Sequence, residues 1–207
     1  MRITFDWNCI IEVEEGRSQA GSVRKLVEHH RMGNVEVALL AASASENTPS
    51  TDLSGGRKFP GSALLFKERV DSLGWGDLPI VLMPAVFGLS YWDYCYFVGD
   101  GDAFESDIDA LWAVIAPKVP RKPKDFLPAG EEMNDEMVQS PQLAKWRNTW
   151  CDVISAYSHI NDGRDVFITR NTKDFQKKSE ALAELGMRDI ADPNEMLKRI
   201  VGSQHYD

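Results

Sequence analysis

The sequence predicts an α/β fold: a three-layer sandwich in which a mostly parallel central sheet lies between helices, with a largely helical insertion. Three observations predict it. Residues 35–42 and 165–169 form short apolar runs of strand length. Such runs alternate with stretches of helical periodicity, the pattern of a parallel sheet joined by crossover helices. The runs have no polar face, so the sheet must be covered on both sides. A chain of 207 residues supports one sizeable core, and a single domain over 1–207 with an insertion at about 85–139 is the simplest division.

Residues 2–11 read as a strand with a polar break at Asp6. Residues 21–32 read as a helix, with Val23, Leu26 and Val27 on one face and Gly33 as its stop. Residues 35–42 form a second, buried strand whose end runs into Ser43, Ser45 and Glu46, residues typical of helix starts. Residues 47–61, rich in Ser, Thr, Gly and Pro, read as a loop. A helix over 62–73 ends at Gly74, and residues 78–84 are a short apolar strand.

The region 85–139 holds an aromatic cluster (Phe87, Tyr91, Trp92, Tyr94, Tyr96, Phe97), a helix over 103–116, a proline- and lysine-rich connector and an acidic stretch. Core packing is the expected role of those aromatics. Pro141 opens a helix running to about Ile160. Residues 165–169 are a strand, 175–185 a helix stopped by Gly186, and a last helix starts near Pro193.

The formal net charge of −9 argues against a protein that grips nucleic acid by bulk charge. It leaves room for a metal-dependent nuclease, whose site is acidic until cations fill it. Cys9, Cys95 and Cys151 are widely spaced and odd in number, so they make no disulfide framework and no paired metal knuckle. No stretch is apolar enough to span a membrane, and the N-terminus lacks signal-peptide anatomy, so a cytoplasmic protein without membrane contact is expected.

Four carboxylates stand where an α/β sheet places ligands. Asp6 interrupts an apolar strand, and a buried unpaired carboxylate is costly, so it belongs at the strand's carboxyl end. Asn8, two residues on, shares its side if the strand persists. Glu46 follows the second strand, Asp152 lies among apolar helix neighbours, and Asp174 follows the 165–169 strand. Each has a plainer reading as well: a turn residue for Asp6, a first-turn acid for Glu46, a cap for Asp174. Asp152 fits a plain reading least, because an acid within an apolar helix face wants a reason. Crowded together, the four would repel one another, and magnesium or manganese, which favour oxygen ligands, would relieve that.

These segments resemble the PIN-domain family of metal-dependent nucleases, which includes bacterial toxin ribonucleases. ITFDWNCII resembles the family's opening strand, with Trp7 where Thr is common, and LLAASASE, ending at Glu46, its second acid. In DVISAYSHINDGRDVFITRNTKDF, Asp152, Thr169, Asn171, Asp174 and Phe175 follow the family's order, with Asn171 where some members have Asp. LGMRDIADPNEML is similar to its closing strand and helix. The chain is much longer than the compact toxins, mostly through 85–139.

The resemblance implies a PIN-like fold and hydrolysis of RNA phosphodiester bonds with Mg²⁺ or Mn²⁺. Asp6, Glu46 and Asp152 would hold one ion, and Asp174 a second ion or the attacking water. Asn8, Thr169 and Asn171 would hydrogen-bond the ligands or a phosphate, and Arg170 would neutralise the RNA backbone. As partners it implies RNA, an antitoxin protein where the enzyme is a toxin, and a homodimer.

Two other readings compete. In a haloacid-dehalogenase-like phosphatase, Asp6 would be the nucleophile and VGDGDAFESD the late acidic motif, although that family wants Asp where Asn8 stands. A non-catalytic PIN-like scaffold would use the aromatic cluster to bind RNA or protein.

Overall fold

In the central strands, side chains alternate between two apolar surfaces. Along β1 (Arg2–Phe5), Ile3 and Phe5 enter one core while Thr4 faces the other way. Val37 and Leu39 of β2 (Glu36–Leu40) join the first core, and Ala38 and Leu40 the second. In β8 (Val166–Ile168), Val166 and Ile168 oppose Phe167 in the same manner. A sheet apolar on both faces demands two covering layers, and it has them.

The computed structural model describes residues 1–46, 48–49, 58–59, 62–127, 140, 143–171 and 173–203; for 48, 49, 58, 59 and 203 it describes backbone only. The first core is closed by α1 (Trp7–Glu14), α2 (Ala20–Arg31), α3 (Ala63–Ser72) and α7 (Pro193–Ser203). The second is closed by α4 (Gly101–Ile115), α5 (Ala144–Asn161) and α6 (Ser179–Glu184). Between them the sheet runs β5 (Ile80–Val81), β2, β1, β8, β9 (Ile190–Ala191), all neighbours parallel. Phe5 is in register with Leu39 on one side and Ile168 on the other. Two minor pairs complete the strands: antiparallel β3 (Thr48–Pro49) with β4 (Lys58–Phe59), and parallel β6 (Met83–Pro84) with β7 (Cys95–Tyr96).

The first strand is shorter than the sequence predicts. It stops at Phe5, and α1 begins at Trp7. Trp7, Ile10 and Val13 recur at helical spacing and are all buried, so packing favours a helix where the apolar run suggested an extended chain. The predicted helices at 21–32, 62–73, 103–116 and near 193 correspond to α2, α3, α4 and α7. The predicted 175–185 helix divides into a 3-10 turn, Gln176–Lys178, and α6, with Gly186 at φ +102° ending it. Within the segment expected as a loop, 47–61, the backbone at 48–49 and 58–59 pairs as β3 and β4; its other residues up to 61, the acidic stretch within 128–139 and Pro141 lie outside the described residues.

The region expected as an insertion supplies part of the core. Ile108, Leu111, Trp112 and Ile115 of α4 are buried, and Trp112 meets Trp150 edge-on at 5.4 Å. Trp146 Nε1 donates to the Arg121 carbonyl at 2.8 Å, which holds the following segment on α5. The aromatic cluster keeps its expected packing role only in part. Tyr91 and Tyr94 pack against the first core, whereas Phe87, Trp92 and Phe97 are 75–81% exposed. Among the described residues, no helix is long and apolar enough to cross a membrane.

Candidate metal centre

Strand order reverses at β1: the chain next adds β2 on one side and later β8 on the other. Open α/β sheets leave a crevice past the carboxyl ends of the strands at such a point. Asp6 and Thr169 are the first residues beyond β1 and β8, and both are buried. The Asp6 amide donates to the Ile168 carbonyl at 3.0 Å, so the two strand ends are tied together.

The Asp6 carboxylate is held by several donors. Thr169 Oγ1 donates to Oδ2 at 2.6 Å and Asn8 Nδ2 donates to the same oxygen at 2.8 Å. Thr169 Oγ1 in turn accepts from the Asn171 amide at 2.9 Å. Asn171 Oδ1 accepts from the Asp174 amide at 3.1 Å, and Gln176 Nε2 donates to the Thr169 carbonyl at 3.2 Å. Phe175, whose ring lies 4.8 Å from that of Phe167, roots the turn in the second core. The turn after β8 therefore has a fixed shape. Burial nevertheless pushes the Asp6 carboxyl above its ordinary value, against the hydrogen bonds from Thr169 and Asn8 and the amides of Trp7 and Asn8.

Asp152 enters from α5. Burial pushes its carboxyl well up, and the charges of Asp6 and Asp174 push in the same direction, with Lys178 opposing them. Burial raises the neighbouring Cys151 thiol too, and Glu46, Asp152 and Asp6 add to that rise. Asp6, Glu46, Asp152 and Asp174 thus share one electrostatic neighbourhood around residues 151 and 152. Lys178 Nζ lies 3.8 Å from Asp174 and donates to the Ile115 carbonyl at 2.5 Å.

This donor set suits a hard divalent cation chemically, because all four acids offer oxygen and an ion would relieve their mutual repulsion. Among the described residues, no three His, Cys, Asp or Glu side chains form a ready ligand group for a metal ion. Magnesium needs no such cage, since it is commonly held through one or two carboxylates while keeping several waters.

Two expectations about single residues change, and a third residue proves to have a structural partner as well. Asn8 lies in the first turn of α1, not on a continued strand, yet it reaches Asp6 from there. Glu46 follows a 3-10 turn, Ala41–Ser45, in extended conformation and starts no α-helix. Arg170 pairs through Nε with the buried Glu12 at 3.2 Å, so its charge is engaged in the fold. Two acids of the phosphatase reading's motif have structural partners: Asp100 caps α4 by accepting from the Ala103 amide at 3.0 Å, and Glu105 pairs with Arg121.

Sequence reasoning missed the polar residues that precede Asp152 on α5. Lys145, Asn148 and Thr149 share a cavity of about 690 Å³ with Asp152, Asp174 and Lys178. Their spacing signalled it: positions 145, 148, 149 and 152 fall on one helix face, and Lys178 is four residues past Asp174.

No family model, no curated protein and no solved structure matches the chain.

Proposed function

We propose that this chain is a magnesium- or manganese-dependent nuclease on a PIN-like fold, hydrolysing phosphodiester bonds in RNA. The single observation that carries the reading is the pair of acids Asp6 and Asp152, each raised by burial, with Asp6 also raising Asp152, beside the crevice where strand order reverses. Keeping acids with raised carboxyls and mutual repulsion in such a place costs stability, and a functional cation explains why they are there.

Asp6 and Asp152 would hold the ion directly, with Glu46 acting through one of its waters and Asp174 binding a second ion or orienting the attacking water. A bound divalent ion supplies Lewis acidity, which makes water a competent nucleophile near neutral pH. Thr169 and Asn8 aim the Asp6 carboxylate. Asn171, bonded to the Asp174 amide, fixes the backbone that carries that acid. Lys178 offsets part of the negative charge.

The test is cleavage of a labelled single-stranded RNA by purified protein with Mn²⁺, with chelator, and by Asp152→Asn. Cleavage that needs the metal and is lost in the variant supports the reading; full activity in Asp152→Asn overturns it. A second reading, a PIN-like scaffold that binds a partner without cutting, is favoured by the exposed Phe87, Trp92 and Phe97. It gains if Mn²⁺ leaves the melting temperature unchanged, because a ligand specific to the folded state must stabilise it.

A further inference from the structure

The cavity beside the acids has the opposite charge balance to the chain as a whole. Its lining carries four lysines, Lys118, Lys145, Lys173 and Lys178, against two carboxylates, Asp152 and Asp174, in a chain of net charge −9. Lys178 is engaged by Asp174 and the Ile115 carbonyl. Among the described residues, Lys118, Lys145 and Lys173 make no ion pair with a carboxylate. They come from three separate elements: the segment leaving α4, the first turn of α5, and the turn after β8. Folding has therefore placed three further lysines around one cavity in which Asp152 is the carboxylate left to balance them, a local excess of positive charge. An anion is the chemistry that relieves this.

Spacing says which kind of anion. Lys145 and Asp152 are seven residues apart on one face of α5, about 10 Å along its axis. A lysine at that distance meets a different phosphate from the one at the acids, so the ligand carries charge at intervals. We infer that this cavity is a phosphate track, in which Lys118 and Lys145 bind the backbone of a nucleic-acid strand beside the bond to be cut. The inference rests on the nuclease reading for its end point at Asp152 and Asp174. The lysines bind phosphate without reading bases or the 2′-hydroxyl.

The test is fluorescence anisotropy of a short labelled single strand, RNA or DNA of one sequence, at several salt concentrations in chelator. Wild type is compared with Lys118→Gln, Lys145→Gln and, as a control on α2 across the sheet, Lys25→Gln. The track predicts that either of the first two weakens binding at least about three-fold, equally for RNA and DNA. Each should also flatten the salt dependence by about 0.7 in log–log slope per lost phosphate contact, while Lys25→Gln matches wild type and all four proteins melt alike. Binding that is absent at low salt, unchanged in both variants, equally lost in the control, or lost for RNA alone overturns it. The same proteins assayed with Mn²⁺ separate the two claims. Cleavage with KM unchanged in both variants leaves hydrolysis standing and removes the track. Lysine-dependent binding without cleavage leaves the track and removes hydrolysis.

Discussion

Thr169 Oγ1 donates a 2.6 Å hydrogen bond to Asp6 Oδ2 across the two strand ends where the sheet order reverses. Both residues are buried, and the hydroxyl has its own donor in the Asn171 amide, so its proton is directed at the carboxylate. Substituting Thr169 by Val keeps the shape and removes this aim. The expected result is a 10- to 100-fold loss of Mn²⁺ affinity, read by titration calorimetry. Unchanged affinity would show that Asp6 needs no such support.

The raised carboxyl of Asp152 makes a prediction about stability without metal. A folded-state value above the unfolded one means the native protein binds more protons, so stability falls as pH rises through that interval. Asp152→Asn removes this cost. In chelator, the variant should melt above wild type at neutral pH, and the gap should close below the ordinary aspartate value of 3.8. Calorimetric melting over that pH range checks it; a variant less stable at neutral pH contradicts it.

His159 has the opposite sign. It is fully buried, its Nδ1 lies 2.6 Å from Thr4 Oγ1, and burial, with help from Arg164, pulls its value down to about 4 from 6.5. Stability is complete above 6.5 and is lost as pH falls through 4, by up to about 3 kcal/mol. His159→Gln should flatten the acid limb of a denaturant-unfolding series between those values. A limb unchanged in shape would assign acid sensitivity to other groups.

Arg170 pairs with the buried Glu12, whose other oxygen accepts from the Gln19 amide at 3.0 Å. Arg170→Ala leaves that acid short of a partner. Because Arg170 is itself well exposed, the cost is discounted from a fully buried pair to about 1–2 kcal/mol. Urea unfolding should show this loss, and Glu12→Gln in the Arg170→Ala background should recover part of it.

How much was legible in the sequence differs by kind of signal. The parallel sheet was legible because β2 and β8 are short apolar runs set between helical periods. The helical start of α1 was hidden because Trp7, Cys9 and Ile10 fit alternation and helical spacing equally, and only burial on the first core decides between them. The exposure of Phe87, Trp92 and Phe97 was illegible, since composition reports apolarity and not which neighbours cover it. At the candidate site, Asp152 stood out as an acid on an apolar face, and the turn after β8 was marked by the order of its residues. The engagement of Arg170 by Glu12, 158 positions away in sequence, left no local trace.

The central claim is that Asp6 and Asp152 act together on one divalent ion. Calorimetric titration of Mn²⁺ into the purified protein, in two buffers of different ionisation enthalpy, tests it most directly. The account predicts saturable binding with proton release, since the ion must displace protons from raised carboxyls, and loss of that binding in Asp6→Asn and in Asp152→Asn. Absence of binding to the wild-type protein, or binding in either variant equal to wild type, would contradict it.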